Sequence, residues 1–257
     1  MKRSSLFIAL NIFFSSFLVA QAAPNLIDAA GRKQGHWIKY SANKKKLYDG
    51  NFVNDVPEGK FIYYSEAGIP WAITIFSQKG TVGYNQHFSA AGKLVGEGKY
   101  INQKKDSLWK FYNDEGKLVS VENYLNDLKQ GSCKIYYSNG QLSEDKVYVK
   151  DLLDGPCTKY FADGKIKYKG QYIKDKVEGK TLFYYPSGTM SVEGFYKNDL
   201  KDGTWNFYNM DGTLKKKVLY SNGKTKDKTE AGIMTKEEEE KAKKQYEQKE
   251  IKEPNQE

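Results

Sequence analysis

Two histidines, two cysteines and a register of acidic residues are the side chains with types and spacing suited to chemistry. His36 and His87 have no Ser or Cys nucleophile motif nearby, so a His-activated nucleophile is not expected. Cys133 and Cys157 stand 24 residues apart, and two cysteines in an exported chain invite a disulfide. The acids are in register as well. Asp55, Asp127, Asp151, Asp175 and Asp199 recur at multiples of 24 residues, as do Glu58, Asp106, Asp154, Glu178 and Asp202. Clustered oxygens on Gly-containing loops suit calcium, which takes about six to eight of them. Neither EF-hand spacing nor a Gly-Gly-x-Gly-x-Asp nonapeptide is present, and Asp shapes turns with its own side chain. These acids read as turn formers, and neither metal nor cofactor is expected. Carboxylate pairs that recur with a repeat also differ from an active site, which is a unique break in a pattern. The expectation is a protein that is not an enzyme, with no catalytic residue.

The elements that position these residues come from a repeat. Gly35, Gly59, Gly83, Ser107, Gly131, Gly155, Gly179 and Gly203 are spaced by 24 residues without insertion or deletion. Five residues after each anchor stands an aromatic: Tyr40, Tyr64, Phe88, Tyr112, Tyr136, Tyr160, Tyr184 and Tyr208. Another stands seventeen after: Phe52, Phe76, Tyr100, Tyr124, Tyr148, Tyr172, Tyr196 and Tyr220. Nine after the anchor, seven of the eight repeats have Gly.

Each repeat reads as a β-hairpin. Pairs such as Asn139-Gly140, Asp163-Gly164 and Asp211-Gly212 supply the positive φ values that tight hairpin turns require. An aromatic strand such as Trp109-Lys110-Phe111-Tyr112 precedes the turn and a second strand follows it. One hairpin per repeat gives about 16 strands, with aromatic columns stacking on their counterparts in adjoining repeats because no single repeat buries its own. Cys133 and Cys157 then lie two strands apart, roughly 9–10 Å. A disulfide needs Cα atoms within about 7 Å, so both are expected reduced, as core residues in a Trp-bearing column.

The pattern Gly-x-Trp-x-Phe-Tyr-x-x-x-Gly, then an aromatic and Asn/Asp-x-x-x-Gly, resembles the MORN repeat in its bacterial variant form. It spans residues 35–226, with Ser107–Gln130 and Gly203–Lys226 the best matches. Repeats one to three depart from it. Lys44 replaces the turn Gly, Asn85 replaces the early Trp, and Pro70-Trp71 is expected to interrupt a strand. The resemblance implies an all-β fold, an elongated single-layer antiparallel meander of about eight stacked hairpins. It also implies scaffolding, dimerisation or lipid and protein contact, and for some bacterial variants an antitoxin role. No catalytic residue comes with it.

The ends read differently. Residues 1–22 look like a secretory signal: Met1-Lys2-Arg3, an apolar run from Leu6 to Ala20, and Ala20-Gln21-Ala22 as cleavage pattern. That run is shorter than the roughly 20 residues of a membrane span, so the mature chain is expected to be exported, without a transmembrane span. Residues 23–34 form a linker or cap. Residues 227–257 are a charged tail, a frayed solvated helix or disorder, opening on the capping box Thr235-Lys236-Glu237-Glu238.

Residues 23–225 carry 31 basic against 22 acidic residues. A mildly basic body favours acidic partners, here a protein or an anionic envelope component such as a glycan or lipid headgroup. Nucleic acid is not expected for an exported chain, and lysines also guard strand edges. Weak candidates for contact are Trp37, Trp109 and Trp205, a sparse column expected to be partly exposed, together with Trp71 and His87. The last two lie in the most aberrant stretch, Ile69 to Phe88, where a unique ligand site would fall. The expected function is an exported binding or scaffold module in periplasm, cell surface or medium. The alternative is a cytosolic antitoxin-like inhibitor, which requires that the signal not work.

Overall fold

A strand, a turn and a returning strand are what each 24-residue unit encodes. The computed structural model describes residues 23–225. It begins with β1 (Leu26–Ile27), β2 (Lys33–Tyr40), β3 (Lys46–Val53), β4 (Val56–Tyr64), β5 (Pro70–Ser77) and β6 (Val82–Phe88). Then come β7 (Leu94–Ile101), β8 (Lys104–Tyr112), β9 (Leu118–Leu125), β10 (Leu128–Tyr136), β11 (Leu142–Val149) and β12 (Leu152–Tyr160). β13 (Ile166–Ile173), β14 (Lys176–Tyr184), β15 (Met190–Lys197), β16 (Leu200–Tyr208), β17 (Leu214–Ser221) and β18 (Lys224–Thr225) complete it. Each strand pairs antiparallel with the next, giving one open 18-stranded meander with no helix among the described residues. Within the segment 23–34, β1 pairs with β2 through Leu26 and Ile27. The expected signal segment and charged tail lie outside the described residues. Pro70 does not interrupt a strand but opens β5, a position where its missing N–H costs nothing.

Two kinds of turn alternate. Inside a repeat, the Gly140 N–H donates to the Tyr137 carbonyl at 2.9 Å and Gly140 takes φ +85°. Only the Gly is left-handed, so Asn139-Gly140 closes a longer turn with an adjoining bulge rather than a two-residue turn. Lys44 adopts the same conformation, φ +58°, where the first repeat lacks the Gly. The two-residue turns lie between repeats. There Asn126 and Asp127 take φ +53° and +72°, the left-handed pair that matches strand twist.

Successive inter-repeat turns are bonded to one another. The Lys129 N–H donates to the Asp151 carboxylate at 2.6 Å, and the Asp151 N–H donates to the Lys129 carbonyl at 3.0 Å. Asp55, Asp127, Asp175 and Asp199 make the same two bonds with Lys33, Lys105, Leu153 and Val177. These five acids thus serve the backbone of the preceding turn, whereas Glu178 and Asp202 of the second column accept from Asn198 N–H and Asn222 N–H of the following one. Asp151→Ala is expected to lower the melting temperature by about 2–4 °C, while Asp151→Asn, which keeps an acceptor oxygen, retains most of it. Calorimetric melts of the two variants check this.

Side chains alternate between two faces. One, the aromatic face, is built on glycines. Trp109 lies over Gly98, Trp205 over Gly194 and Phe61 over Gly50, so close that a Cβ at any of these glycines would overlap the ring. At Gly170 the cover is Tyr168 of the same strand. At the two cysteines of the covering column the facing residue is large: Cys133 pairs with Glu122, and Cys157 with Lys146. Rings meet edge to face in a zigzag, Phe52–Phe61 at 5.2 Å, Phe61–Phe76 at 5.1 Å and Tyr100–Trp109 at 4.9 Å. Contact therefore runs between two different columns, and not like on like as the sequence suggested. Lysines two residues before the anchors lie across these rings, Lys105 at 4.8 Å from Trp109 and Lys201 at 4.8 Å from Trp205.

The aromatics five past the anchor point the other way. Tyr112 and Tyr208 donate to Glu97 (2.8 Å) and Glu193 (2.7 Å) on the opposite face. Burial, with the Glu97 hydrogen bond, pushes the Tyr112 hydroxyl up to about 12. Cys133 and Cys157 both pair with Lys146 of the strand between them and are buried, unbridged thiols. Burial raises both their pKa values, which keeps them protonated and unreactive.

Candidate binding cleft

The repeat geometry breaks once among full-length strands. β5 and β6 pair in unshifted register across residues 78–81. The six other junctions between full-length strands of successive repeats carry a register shift. Each of the other anchors takes positive φ, Ser107 included at +59°, whereas Gly83 does not. The columns change at the same place. Thr81 stands where Lys33, Lys105, Lys129 and Lys201 stand in their repeats, and Asn85 stands where Trp109 and Trp205 do. Both replacements are small or polar, so the aromatic face is left unfilled between Phe76 and Tyr100.

A cleft of about 300 Å³ results. Its floor is polar: the Asn85 side-chain amide donates to Thr74 Oγ1 at 2.6 Å, and the two residues are only 6% and 4% exposed. Asn85 Oδ1 is buried without a hydrogen-bond partner. Trp71, 45% exposed, forms one wall. Its ring lies 5.9 Å from His87 at 24° and 5.9 Å from Tyr63. Burial, and then the charge of Lys105, lower the His87 pKa, so the imidazole is neutral at pH 7.

The five residues singled out from sequence thus separate into two groups. Trp71 and His87 come together in the cleft. Trp109 and Trp205 are 0% and 2% exposed and hold the sheet together, contrary to the partial exposure expected of them. Their indole N–H groups donate to the Lys99 carbonyl (3.0 Å) and the Phe195 carbonyl (3.1 Å). Trp37 is half-buried, edge-on to Phe52 at 6.1 Å, and donates to the Leu26 carbonyl at 3.1 Å, fastening β1 to β2. Sequence reasoning missed Thr74 and Thr81 as parts of a site. Their signal was a loss of bulk in columns that only the cross-strand register reveals.

Models of known families match this architecture. The MORN repeat variant matches residues 105–126, 129–150, 153–174 and 177–198, and the MORN repeat matches residues 48–60. The chain is a MORN-variant repeat protein. The stretch 61–104, which supplies every residue lining the β5–β6 cleft, lies between the matched repeats of this MORN-variant protein. No curated protein matches the chain. A chain of the solved structure titled "Crystal Structure of TcdB2-TccC3-Cdc42" is similar at 12% identity and a TM-score of 0.22 over 81% of this chain. The MORN-variant chain spans 14% of that chain's length, and a likeness at that TM-score carries no argument. No helix among the described residues is long and apolar enough to cross a membrane.

Proposed function

We propose that this MORN-variant protein is an exported, non-enzymatic binding or scaffold module. One observation carries the reading: a single open sheet presents the same side-chain columns repeat after repeat, locked in register by the Asp turn ladder. Successive repeats lie two strands, roughly 9–10 Å, apart. A partner that engages several of them spreads its affinity along the sheet. MORN repeats commonly serve as such modules. The excess of basic residues over 23–225 favours a protein or anionic envelope component, glycan or lipid headgroup. The apolar run and small-x-small pattern of residues 1–22 support export.

Cell fractionation with intact mass of the native protein tests the address. A chain beginning at Ala23 in periplasm, envelope or medium is expected. A full-length chain in the cytosol overturns export and favours the antitoxin-like inhibitor. A pull-down from envelope fractions at low and high salt tests the contact itself, since an electrostatic partner is released by salt.

A further inference from the structure

We propose that the cleft between Trp71 and Asn85 binds a neutral saccharide, one ring stacked on Trp71 and a hydroxyl bonded to the Asn85 amide. This goes beyond the scaffold reading and does not depend on it, because it concerns one break in the repeat and not the repeated surface.

Three observations define the ligand. The first is the amide. Asn85 is 6% exposed, one end of its amide is held by Thr74, and the other has no partner. An unpaired buried polar atom is costly, and the cost disappears when a ligand supplies the missing group. Whichever way the amide is turned, a hydroxyl satisfies it, because a hydroxyl both donates and accepts. The second is charge. No Asp, Glu, Lys or Arg lines the cleft, although such residues make up 28% of the chain. A charged ligand would lose its hydration and find no counter-charge, and Lys105, whose charge reaches His87, opposes a cation. The third is shape. One ring, Trp71, offers a broad exposed face, and its other neighbours Tyr63 and His87 hold it in place. A sugar ring has one apolar C–H face and a hydroxylated rim. It matches a site whose exposed aromatic face is Trp71, whose half-buried rings Phe76 and Tyr100 lie deeper, and whose floor is polar.

The test uses the full mature chain and three probes: maltotriose, cellotriose and chitotriose. Tryptophan fluorescence and calorimetry are followed in the wild type, in Trp71→Ala and in Tyr84→Ala. Trp71 is exposed enough for its loss to leave the fold intact, which circular dichroism verifies. Tyr84, also exposed and one residue from Asn85 on β6, lies on the opposite face and serves as control. At least one sugar is expected to bind saturably, to bind at least about tenfold more weakly to Trp71→Ala, and to bind unchanged to Tyr84→Ala. Absence of saturable binding by all three sugars overturns the inference. So does binding that both variants weaken alike, or tighter binding of uridine than of any sugar. Retention of a protein partner by Trp71→Ala alongside any of these failures leaves the scaffold reading standing.

Discussion

Trp109→Ala is expected to cost about 3–5 kcal/mol and to divide thermal unfolding into two steps. Trp109 is 0% exposed. Its ring covers Gly98, meets Tyr100 edge-on at 4.9 Å, lies 6.1 Å from Phe111, and is capped by Lys105 at 4.8 Å. Its N–H is spent on the Lys99 carbonyl. Removal leaves a cavity, bares Gly98 and strands that carbonyl. Because each hairpin touches only its neighbours, the loss falls on the interface between the third and fourth repeats. Repeats one to three should then melt before repeats four to eight. Calorimetry paired with limited proteolysis reads this out: early cutting near residues 102–103, with the C-terminal hairpins still protected. One cooperative transition with a small shift would show that the repeats are coupled by more than this side chain.

Gly98→Ala is expected to cost about 1–3 kcal/mol, for a reason that has nothing to do with backbone freedom. Gly98 sits in β7 without positive φ, beside the register shift toward β8, so alanine is conformationally acceptable there. The added methyl overlaps the Trp109 ring. In a Trp109→Ala background the methyl enters the space the ring vacated, and the same substitution should become neutral or stabilising. The double-mutant cycle should therefore show a coupling of at least about 1 kcal/mol. The protein already contains the inverse arrangement, small Cys133 and Cys157 facing Glu122 and Lys146. Additive penalties would show that the ring relieves the overlap by moving, and that the matching of sizes is incidental.

The architecture was legible because its constraints are local. Left-handed turn positions call for Gly, Asn or Asp, and edge-to-face columns call for aromatics, so the 24-residue period appears in the residue types themselves. Which face each column occupies was not legible. Positions five and seventeen past the anchor are both odd, yet Tyr112 and Tyr124 end on opposite faces, because bulges beside the turns insert residues into the count. The sparse Trp column was read as partly exposed for a related reason. Trp109 and Trp205 are rare because each requires a glycine on the neighbouring strand, and that pairing is invisible without register. Trp71 and His87 stood out as departures from the repeat. The polar floor beneath them did not, since Thr74 and Asn85 are eleven residues apart and meet only across the strand pair.

The open meander also dictates how the molecule answers to force. β1 and β18 lie at opposite edges of the sheet, so tension between the ends draws on one outermost hairpin at a time. Hydrogen bonds peel in sequence, without the parallel sharing that makes a sheared strand pair strong. A released 24-residue unit spans about 80 Å when extended, against roughly 10 Å in the sheet. A partner tethered at each end would be linked by a compliant element that yields in equal steps and re-forms its zigzag of rings when the load is removed.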